Sequence, residues 1–351
     1  MVVSEGSSGR LQLRVREVIR ETEDAASVVF EVPDGFTYRP GQFITVGARL
    51  AGGIAPRCYS LSSAPGHDPH PAITVKRVAG GQVSNWLIDN AEPGMSVDVI
   101  PPAGVFTPRD WTDDFVVVAA GSGITPAMSI IKTALLTHDN AVTLIYANRD
   151  EQSVIFASAI AQLQRAHPSR FVVHHWLESE RGLPTAVELA PFLSDVGDDH
   201  VAYLCGPTPF MDVAHTALEA AGLPSAHIRR ELFYSLTTNP FSVAAGTASA
   251  APTDPGATAD TGVRVTVDID GETHDVSWPR DAVLLDVLLD NGIDAPYVCR
   301  EGNCGGCEYT LTDGEVAMRV NDTLDDFDLR RGARLACQST PVSDEIAITF
   351  D

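Results

Sequence analysis

Four of the six cysteines in this 351-residue chain lie close together near its C-terminal end, and their spacing restricts what that region can fold around. Cys299, Cys304 and Cys307 form a Cys-x4-Cys-x2-Cys run, and Cys337 follows thirty residues later. Thiolates are soft ligands that suit iron–sulfur centres, and four of them at this spacing are typical of a two-iron cluster. We therefore predict that these four cysteines hold a [2Fe–2S] cluster.

A structural zinc site or unligated thiols are the alternatives at these cysteines. Zinc sites usually pair two short Cys-x2-Cys knuckles, whereas here three cysteines crowd one loop and Cys337 stands alone after Arg334-Leu-Ala. Gly302, Gly305 and Gly306 let the backbone of that loop approach inorganic sulfide, where a Cβ would collide. Backbone N–H groups in such a loop would stabilise the negative charge of the cluster.

The chain is strongly acidic, with a formal net charge of -23. The region from Val263 to the C-terminus carries 19 acidic residues, 7 arginines and no lysine, so its net charge is -12. Nucleic acid would be repelled, and the charge suggests a protein partner with a basic docking patch. A solvated acidic surface without a partner is the alternative.

The chain has neither an apolar run near the roughly 20 residues that a membrane span needs nor a basic and apolar N-terminal leader. We expect a monomeric cytoplasmic protein that does not associate with membranes.

The pattern of apolar and turn residues divides the chain into four segments. Residues 9–112 have short alternating runs separated by Pro and Gly turns, which indicate a β-sandwich or barrel. Residues 113–238 begin with the apolar run Phe115–Ala120 and alternate strands with helices, which predicts a doubly wound parallel sheet. Residues 239–262 are small, polar and rich in Pro and Gly, as in a linker, and 263–351 form the cysteine-bearing domain.

A candidate flavin site lies in the first segment. Arg57 can pair with a pyrophosphate, Tyr59 can stack on the flavin ring, and Ser60 can reach flavin N5. The run Gly81-Gln-Val-Ser opens a short predicted helix whose N–H groups could cradle the pyrophosphate. An ordinary strand with a surface arginine and a plain helix cap are the alternatives. The predicted flavin-binding residues are Arg57, Tyr59, Ser60, Val75, Lys76, Gly81, Val83 and Ser84.

A candidate nicotinamide site follows two strands of the second segment. Gly121 and Gly123 come directly after Phe115–Ala120, and Thr125 is predicted to cap the next helix, so a dinucleotide could approach the backbone there. Cys205, Gly206 and Pro207 end a later strand of the same sheet and should face the same crevice. We place Cys205 beside the nicotinamide, with a buried packing role as the alternative.

The choice between NADH and NADPH depends on the residues that follow the second strand, where ribose is usually read. Arg149 would suit a 2′-phosphate, whereas Asp150 would oppose one. The sequence favours NADH over NADPH on this balance.

Taken together, these motifs resemble the ferredoxin–NADP⁺ reductase superfamily, in the subgroup with a C-terminal plant-type ferredoxin, over about residues 11–351. Several stretches are similar to the reductase components of 3-ketosteroid 9α-hydroxylases. These stretches are Arg57-Cys-Tyr-Ser-Leu, Ser84-Asn-Trp-Leu, Leu144-Ile-Tyr-Ala-Asn-Arg-Asp, His175-Trp-Leu-Glu-Ser, Val276-Ser-Trp-Pro-Arg and Cys299-Arg-Glu-Gly-Asn-Cys.

The resemblance implies a multidomain protein with an antiparallel β-barrel that binds FAD, a doubly wound α/β domain that binds NAD(P), and a β-grasp [2Fe–2S] ferredoxin domain. It also implies NADH as electron donor and, as partner, a Rieske-type oxygenase that hydroxylates C9 of steroids such as androstenedione. By the same analogy, Glu231 and Phe233 would lie near the isoalloxazine, and with Ser60 and Cys205 they make up the predicted catalytic set. Packing beside Leu232 is the alternative for Glu231 and Phe233.

Three other functions stay open at this point. The same machinery could serve a different oxygenase, such as one acting on an aromatic substrate or on phenylacetyl-CoA, since reductases of phenylacetyl-CoA epoxidases share the layout. The chain could be a stand-alone diaphorase that reduces small acceptors. The last domain could also be a zinc-stabilised binding domain without redox activity.

Overall fold

The structure, a computed structural model, describes residues 10–236, 239–241, 262–269 and 271–350. They form two compact units: Leu11–Ser235, and a second unit that contains Arg10 and the described residues from Leu236 onward. Most of the predicted linker, 242–261, lies outside the described residues. Within the described ranges, no helix combines the length and the apolar character needed to cross a membrane. The predicted domain bounds remain predictions.

The first half of the larger unit is a six-stranded antiparallel sheet in the order β4-β3-β6-β1-β2-β5. Its strands are β1 (Leu11–Arg20), β2 (Ala25–Glu31), β3 (Phe43–Leu50), β4 (Gly53–Ser60), β5 (Ala72–Lys76) and β6 (Ser96–Ala103). A single antiparallel bridge between Leu61 and Ile73 brings the two edges of the sheet together. The sheet is thereby a curled, partly closed barrel, which confirms the predicted fold class of this domain.

Alternation of apolar and polar residues builds the interior of this barrel. Leu13 and Val15 of β1 are buried while their sequence neighbours are exposed, as expected for a strand with one face inward. Helix α1 (Gln82–Asn90) follows β5 and places Val83 and Leu87 in the same apolar core. The short helix predicted from Gly81 onward is therefore present.

The second half of the larger unit is a five-stranded parallel sheet in the order β11-β10-β7-β8-β9. Its strands are β7 (Asp114–Ala120), β8 (Val142–Asn148), β9 (Phe171–Leu177), β10 (His200–Cys205) and β11 (Ile228–Glu231). The connecting helices are α2 (Ile124–Thr137), α3 (Ala157–Ala166), α4 (Glu178–Arg181), α5 (Ala186–Leu189) and α6 (Thr208–Ala220). This is the predicted doubly wound architecture.

Strand β7 has both faces covered, which explains its continuous apolar run. Phe115 and Val117 point into the core with α2, whereas Val116 and Val118 point into the core with α6. Strand β11 was not predicted, because its sequence Ile-Arg-Arg-Glu is short and mostly charged.

The predicted N-cap role of Thr125 is wrong. A single 3-10 turn, Gly121–Gly123, leads directly into α2, so Gly123 occupies the cap position and the helix begins at Ile124. Thr125 lies inside the first turn, where its hydroxyl donates to the carbonyl of Ser122 at 2.9 Å. Because the 3-10 turn already supplies helical backbone, the start of the helix is shifted upstream of the threonine.

The second unit contains a five-stranded mixed sheet in the order β13-β12-β18-β14-β16 and a small two-stranded sheet, β15-β17. The strands are β12 (Val263–Ile269), β13 (Glu272–Trp278), β14 (Glu308–Asp313), β15 (Val316–Met318), β16 (Ala333–Leu335), β17 (Ser339–Pro341) and β18 (Glu345–Thr349). The helices are α7 (Leu284–Asp290) and α8 (Asp326–Arg330). Trp278 is fully buried, and its indole N–H donates to the carbonyl of Ala282 at 3.0 Å.

The close approach of Gly123 to the end of β10 generates a stability prediction. A Cβ at Gly123 would lie 2.0 Å from the carbonyl oxygen of Cys205, and neither backbone can yield without moving a central strand. We expect Gly123→Ala to destabilise the larger unit by about 2–3 kcal/mol, which lowers its melting temperature by roughly 4–12 °C. Thermal unfolding followed by flavin fluorescence measures this shift.

Gly52→Ala is the matched control, because Gly52 has ordinary backbone angles and open space around its Cβ position. An equal change in the melting temperature of the two variants would show that the contact between Gly123 and Cys205 is not a constraint.

Candidate functional site

Two loops of the parallel sheet meet where the strand order reverses, between β7 and β10. Ala119 of β7 pairs with Cys205 of β10, so the chain leaves both strands at the same edge of the sheet. A Cβ at Gly206 would lie 3.0 Å from the Cβ of Ala120, so the second loop also needs a glycine. Ligands of doubly wound sheets bind in this crevice. The structure therefore brings the predicted Gly121–Gly123 and Cys205–Gly206 residues together.

Cys205 and Glu231 lie side by side at the floor of this crevice. They are register neighbours on the parallel strands β10 and β11. Burial raises the pKa of the Glu231 carboxyl to about 8. Burial, and then the adjacent Glu231, raise the pKa of the Cys205 thiol well above its ordinary range. At neutral pH both groups are mainly protonated, so they are hydrogen-bond donors without charge.

The other residues at this end of the sheet have different surroundings. Phe233 follows β11 and has 54% of its surface exposed, whereas Leu232 packs against the core that contains α6. Pro207 lies directly before α6 and accepts from the N–H of Met211 at 3.0 Å. An exposed aromatic ring beside the crevice remains available to a ligand.

Strand β4 carries the predicted flavin residues. Tyr59 faces Ile44 and Ser60 faces Phe43 on the neighbouring strand β3. The Tyr59 ring packs against the barrel core that also contains Val83 of α1. Its hydroxyl oxygen is buried and has no hydrogen-bond partner among the described residues. Because a buried hydroxyl without a partner is costly, this atom fits a bound cofactor that completes its hydrogen bonding.

The beginning of α1 fits the phosphates of the same cofactor. Gly81 is its N-cap and supplies no side-chain cap, so the first N–H groups of the helix face outward. A Cβ at Gly81 would lie 2.5 Å from the hydroxyl of Ser84, so the tight entry to the helix depends on glycine. Since α1 packs against β4 and β5, its N-terminus and Arg57 belong to one region of the barrel.

Lys76 at the end of β5 links the barrel to the parallel sheet. Its ammonium lies 3.6 Å from the position that a Cβ on Gly121 would occupy, so it stands over the first glycine of the nucleotide loop. It also lies 3.9 Å from a carboxylate oxygen of Asp24, in the turn between β1 and β2. Val75 is buried in the barrel core, so only its backbone is open to a ligand.

Arg149 and Asp150 follow β8, as predicted, but each is engaged with another group. The guanidinium of Arg149 lies 3.3 Å from the Asp24 carboxylate. The Asp150 carboxylate accepts from the N–H of Ser153 at 2.9 Å and caps a short 3-10 turn.

The four predicted cluster cysteines come together in the second unit. The thiol of Cys299 contacts those of Cys304 and Cys337, and Cys337 also contacts Cys307. Hydrogen bonds from Cys304 and Cys337 lower the pKa of Cys299. The N–H groups of Glu301 and Gly306 point at the sulfurs of Cys299 and Cys304, both at 3.3 Å.

The backbone of the cysteine loop is tightly constrained. Gly302 has φ +82°, and a Cβ there would lie 2.8 Å from the carbonyl oxygen of Val320. Arg300 also has a positive φ of 60°, and its carbonyl accepts from the Gln338 side chain at 3.1 Å. The same Gln338 amide reaches the sulfur of Cys337 at 3.5 Å.

The four thiols contact one another in the order Cys304, Cys299, Cys337 and Cys307. A two-iron cluster with four cysteines needs two thiolates at each iron, whereas tetrahedral zinc needs all four around one point. None of the six cysteines, all of which are described, is in a disulfide.

Sequence reasoning missed three residues that the fold places in these regions. Asp24 contacts both Lys76 and Arg149, Tyr146 donates to the carbonyl of Gly121 at 3.0 Å, and Gln338 joins two parts of the cysteine loop. Asp24 and Gln338 belong to no local motif, and Tyr146 lies in the stretch Leu144–Asp150 without a role assigned to it from the sequence. Only the long-range packing reveals them.

Three families match successive parts of the chain. Residues 12–107 match the oxidoreductase FAD-binding domain, 117–216 the oxidoreductase NAD-binding domain, and 267–342 the 2Fe-2S iron-sulfur cluster binding domain. The chain is thus an oxidoreductase with FAD-binding, NAD-binding and [2Fe–2S] domains.

Proteins that match nearly the whole chain identify a more specific family. Phthalate dioxygenase reductase has the same fold, with a TM-score of 0.57 and 23% identity over 97% of this chain and 98% of that one. The ferredoxin reductase component of the Mycolicibacterium smegmatis 3-ketosteroid-9-alpha-monooxygenase is 49% identical, with 97% of each chain covered. Its Mycobacterium tuberculosis counterpart is 48% identical over 97% of this chain and 96% of the relative. The chain therefore belongs to the family of ferredoxin reductase components of 3-ketosteroid-9-alpha-monooxygenases.

Proposed function

We propose that this protein takes electrons from NADH and passes them through FAD and a [2Fe–2S] cluster to a Rieske-type oxygenase that hydroxylates C9 of 3-ketosteroids. The observation that carries the proposal is the mutual contact of four cysteine thiols in a chain that also has a nucleotide crevice beside a flavin-type barrel. The proposed ligands of the cluster are Cys299, Cys304, Cys307 and Cys337.

Each part of the chain has a role in this proposal. When bound, FAD accepts two electrons from the nicotinamide and releases them singly, and the cluster carries one electron at a time. The N-terminus of α1 and Arg57 hold the FAD pyrophosphate, and Tyr59 and Ser60 orient the ring. Cys205 and Glu231 form a neutral floor for the nicotinamide, which keeps water and stray charge away from the reacting face.

The relatives support the identity of the acceptor. Two relatives at 49% and 48% identity are named reductase components of 3-ketosteroid-9-alpha-monooxygenase. A component of the Escherichia coli 1,2-phenylacetyl-CoA epoxidase is 32% identical over 97% of each chain, which makes an epoxidase or other oxygenase the second candidate. The net charge of -12 after Val263 supports docking on a basic patch of the partner.

Reconstitution with both candidate oxygenases tests the proposal. We expect the purified protein to be reduced by NADH and to support 9α-hydroxylation of androstenedione by a 3-ketosteroid oxygenase. Cys337→Ser should keep FAD and its reduction by NADH but lose most of the iron, the labile sulfide and the hydroxylation, because one of four ligands is gone.

Cys58→Ser is the matched control and should keep iron and sulfide, since Cys58 lies in the barrel strand β4. Support of the phenylacetyl-CoA epoxidase but not the steroid oxygenase would contradict the steroid assignment. Full iron and sulfide in Cys337→Ser would contradict the cluster assignment.

The buried hydroxyl of Tyr59 generates a second expectation. Tyr59→Phe removes a hydrogen bond that we assign to FAD, so its dissociation constant for FAD should rise about two- to tenfold. Fluorescence titration of the apoprotein measures the affinity. Tyr38→Phe is the control, since the Tyr38 hydroxyl already has a partner in Ser63 at 2.7 Å. Equal affinity in Tyr59→Phe and the wild type would argue against this contact.

The raised pKa of Glu231 generates a third expectation. Burial lifts the folded-state pKa from 4.5 to about 8, so the neutral acid stabilises the fold fully below pH 4.5 and this contribution is lost as pH rises through about 8. Glu231→Gln keeps a neutral side chain at every pH. The melting temperature of the wild type should fall relative to this variant between about pH 5 and 9.

The exposed Glu180→Gln is the control and should follow the wild type across this range. Parallel pH profiles for the wild type and Glu231→Gln would show that Glu231 titrates normally.

A further inference from the structure

A single carboxylate, Asp24, contacts two cations that belong to different parts of the nucleotide crevice. Its Oδ2 lies 3.3 Å from Nη2 of Arg149, beyond β8, and 3.9 Å from Nζ of Lys76, at the end of β5. Lys76 stands over Gly121 of the nucleotide loop. Arg149 occupies the position after the second strand, where doubly wound sheets read the ribose. Asp24 therefore lies between the phosphate end and the ribose end of the crevice.

The position of the Asp24 carboxylate is fixed by its own turn. The hydroxyl of Thr22 donates to Oδ1 at 2.8 Å, and the carbonyl of Asp24 accepts from the N–H of Arg77 at 2.7 Å. These bonds leave Oδ2 directed at the two cations. The carboxylate is thus an anchored negative charge, whereas the Arg149 side chain is 65% exposed and can turn toward a ligand.

We propose that Asp24 is a positioning residue that sets the preference for NADH over NADPH by holding Arg149. This inference rests on the proposed function and extends it to a residue outside the nucleotide-binding sheet. A 2′-phosphate needs an unpaired guanidinium, but Arg149 is drawn to Asp24, and the carboxylate itself repels the phosphate. NADH has only a 2′-hydroxyl, so its binding does not depend on the release of Arg149.

Among the described residues, the other charged groups near Asp24 are engaged elsewhere. Arg77 interacts electrostatically with Asp24 but is held by Asp89 at 2.5 Å. Asp150 adds negative charge and is held as a cap by Ser153. Lys76 approaches the same oxygen of Asp24 and stands over the glycine loop, where we expect the pyrophosphate common to both nucleotides to bind. Discrimination at the 2′ position therefore depends on the pair formed by Asp24 and Arg149.

Calorimetric binding of 2′,5′-ADP and 5′-AMP to the FAD-loaded protein tests this pair, because the two probes differ only in the 2′-phosphate. Asp24→Asn should tighten the binding of 2′,5′-ADP about three- to tenfold and change that of 5′-AMP less than about twofold, because Arg149 is released and a repulsive charge disappears. In steady-state assays the KM for NADPH should fall with kcat unchanged.

Three further variants isolate the mechanism. Asp24→Glu should keep the wild-type affinities for 2′,5′-ADP and 5′-AMP. The double variant Asp24→Asn/Arg149→Gln should lose the raised affinity for 2′,5′-ADP that Asp24→Asn shows. Asp98→Asn removes a carboxylate that pairs with Arg49 elsewhere on the barrel, and it should leave both affinities unchanged.

Several outcomes would overturn the inference. Asp24→Asn would overturn it by raising the affinity for 5′-AMP as much as that for 2′,5′-ADP. The inference would also fail if Asp98→Asn raised the affinity for 2′,5′-ADP equally, or if the double variant without Arg149 kept the raised affinity. These results leave the proposed function intact as long as NADH reduces the flavin of the wild type. Failure of NADH to reduce that flavin would instead remove the proposed function.

Discussion

The backbone contact between Gly123 and Cys205 is the constraint on which the nucleotide crevice depends. Strands β7 and β10 are neighbours at the point where the strand order reverses, and a Cβ at Gly123 would lie 2.0 Å from the carbonyl of Cys205. The close approach of the two loops places the buried Cys205 directly against Gly123. The apolar faces of β7, covered on both sides, hold the two loops in this arrangement.

The larger unit joins a barrel and a parallel sheet through polar contacts as well as apolar ones. The hydroxyl of Ser129 in α2 donates to the carbonyl of Ser63 at 2.5 Å, and Lys132 pairs with Asp68 at 2.9 Å. Such directional bonds fix relative position more strictly than apolar packing alone. For an enzyme that must align a nicotinamide with a flavin, strict alignment accounts for a large part of the rate.

Elements whose signal is local could be predicted from the sequence, and elements that depend on long-range packing could not. The apolar run predicted the buried strand β7, and the cysteine spacing predicted the iron–sulfur domain. Each of these patterns is local in the sequence. The charged sequence of β11 has no local strand pattern, because this strand is stabilised by its pairing with β10. The prediction that Thr125 caps α2 was wrong because the 3-10 turn before it starts the helix early. Asp24 lies 125 residues from Arg149, so no motif could connect them.

We expect the charges along the crevice to favour one direction of a bound dinucleotide. Lys76 stands over Gly121, so phosphates are stabilised there, whereas Cys205 and Glu231 are neutral at pH 7 because burial raises the pKa of both. A phosphate placed on Cys205 and Glu231 would lose its water without gaining a cation, which costs several kcal/mol. The reduced nicotinamide ring is uncharged and loses little there. Because burial keeps Cys205 and Glu231 uncharged, we expect the nucleotide to bind with its reacting ring at this neutral end.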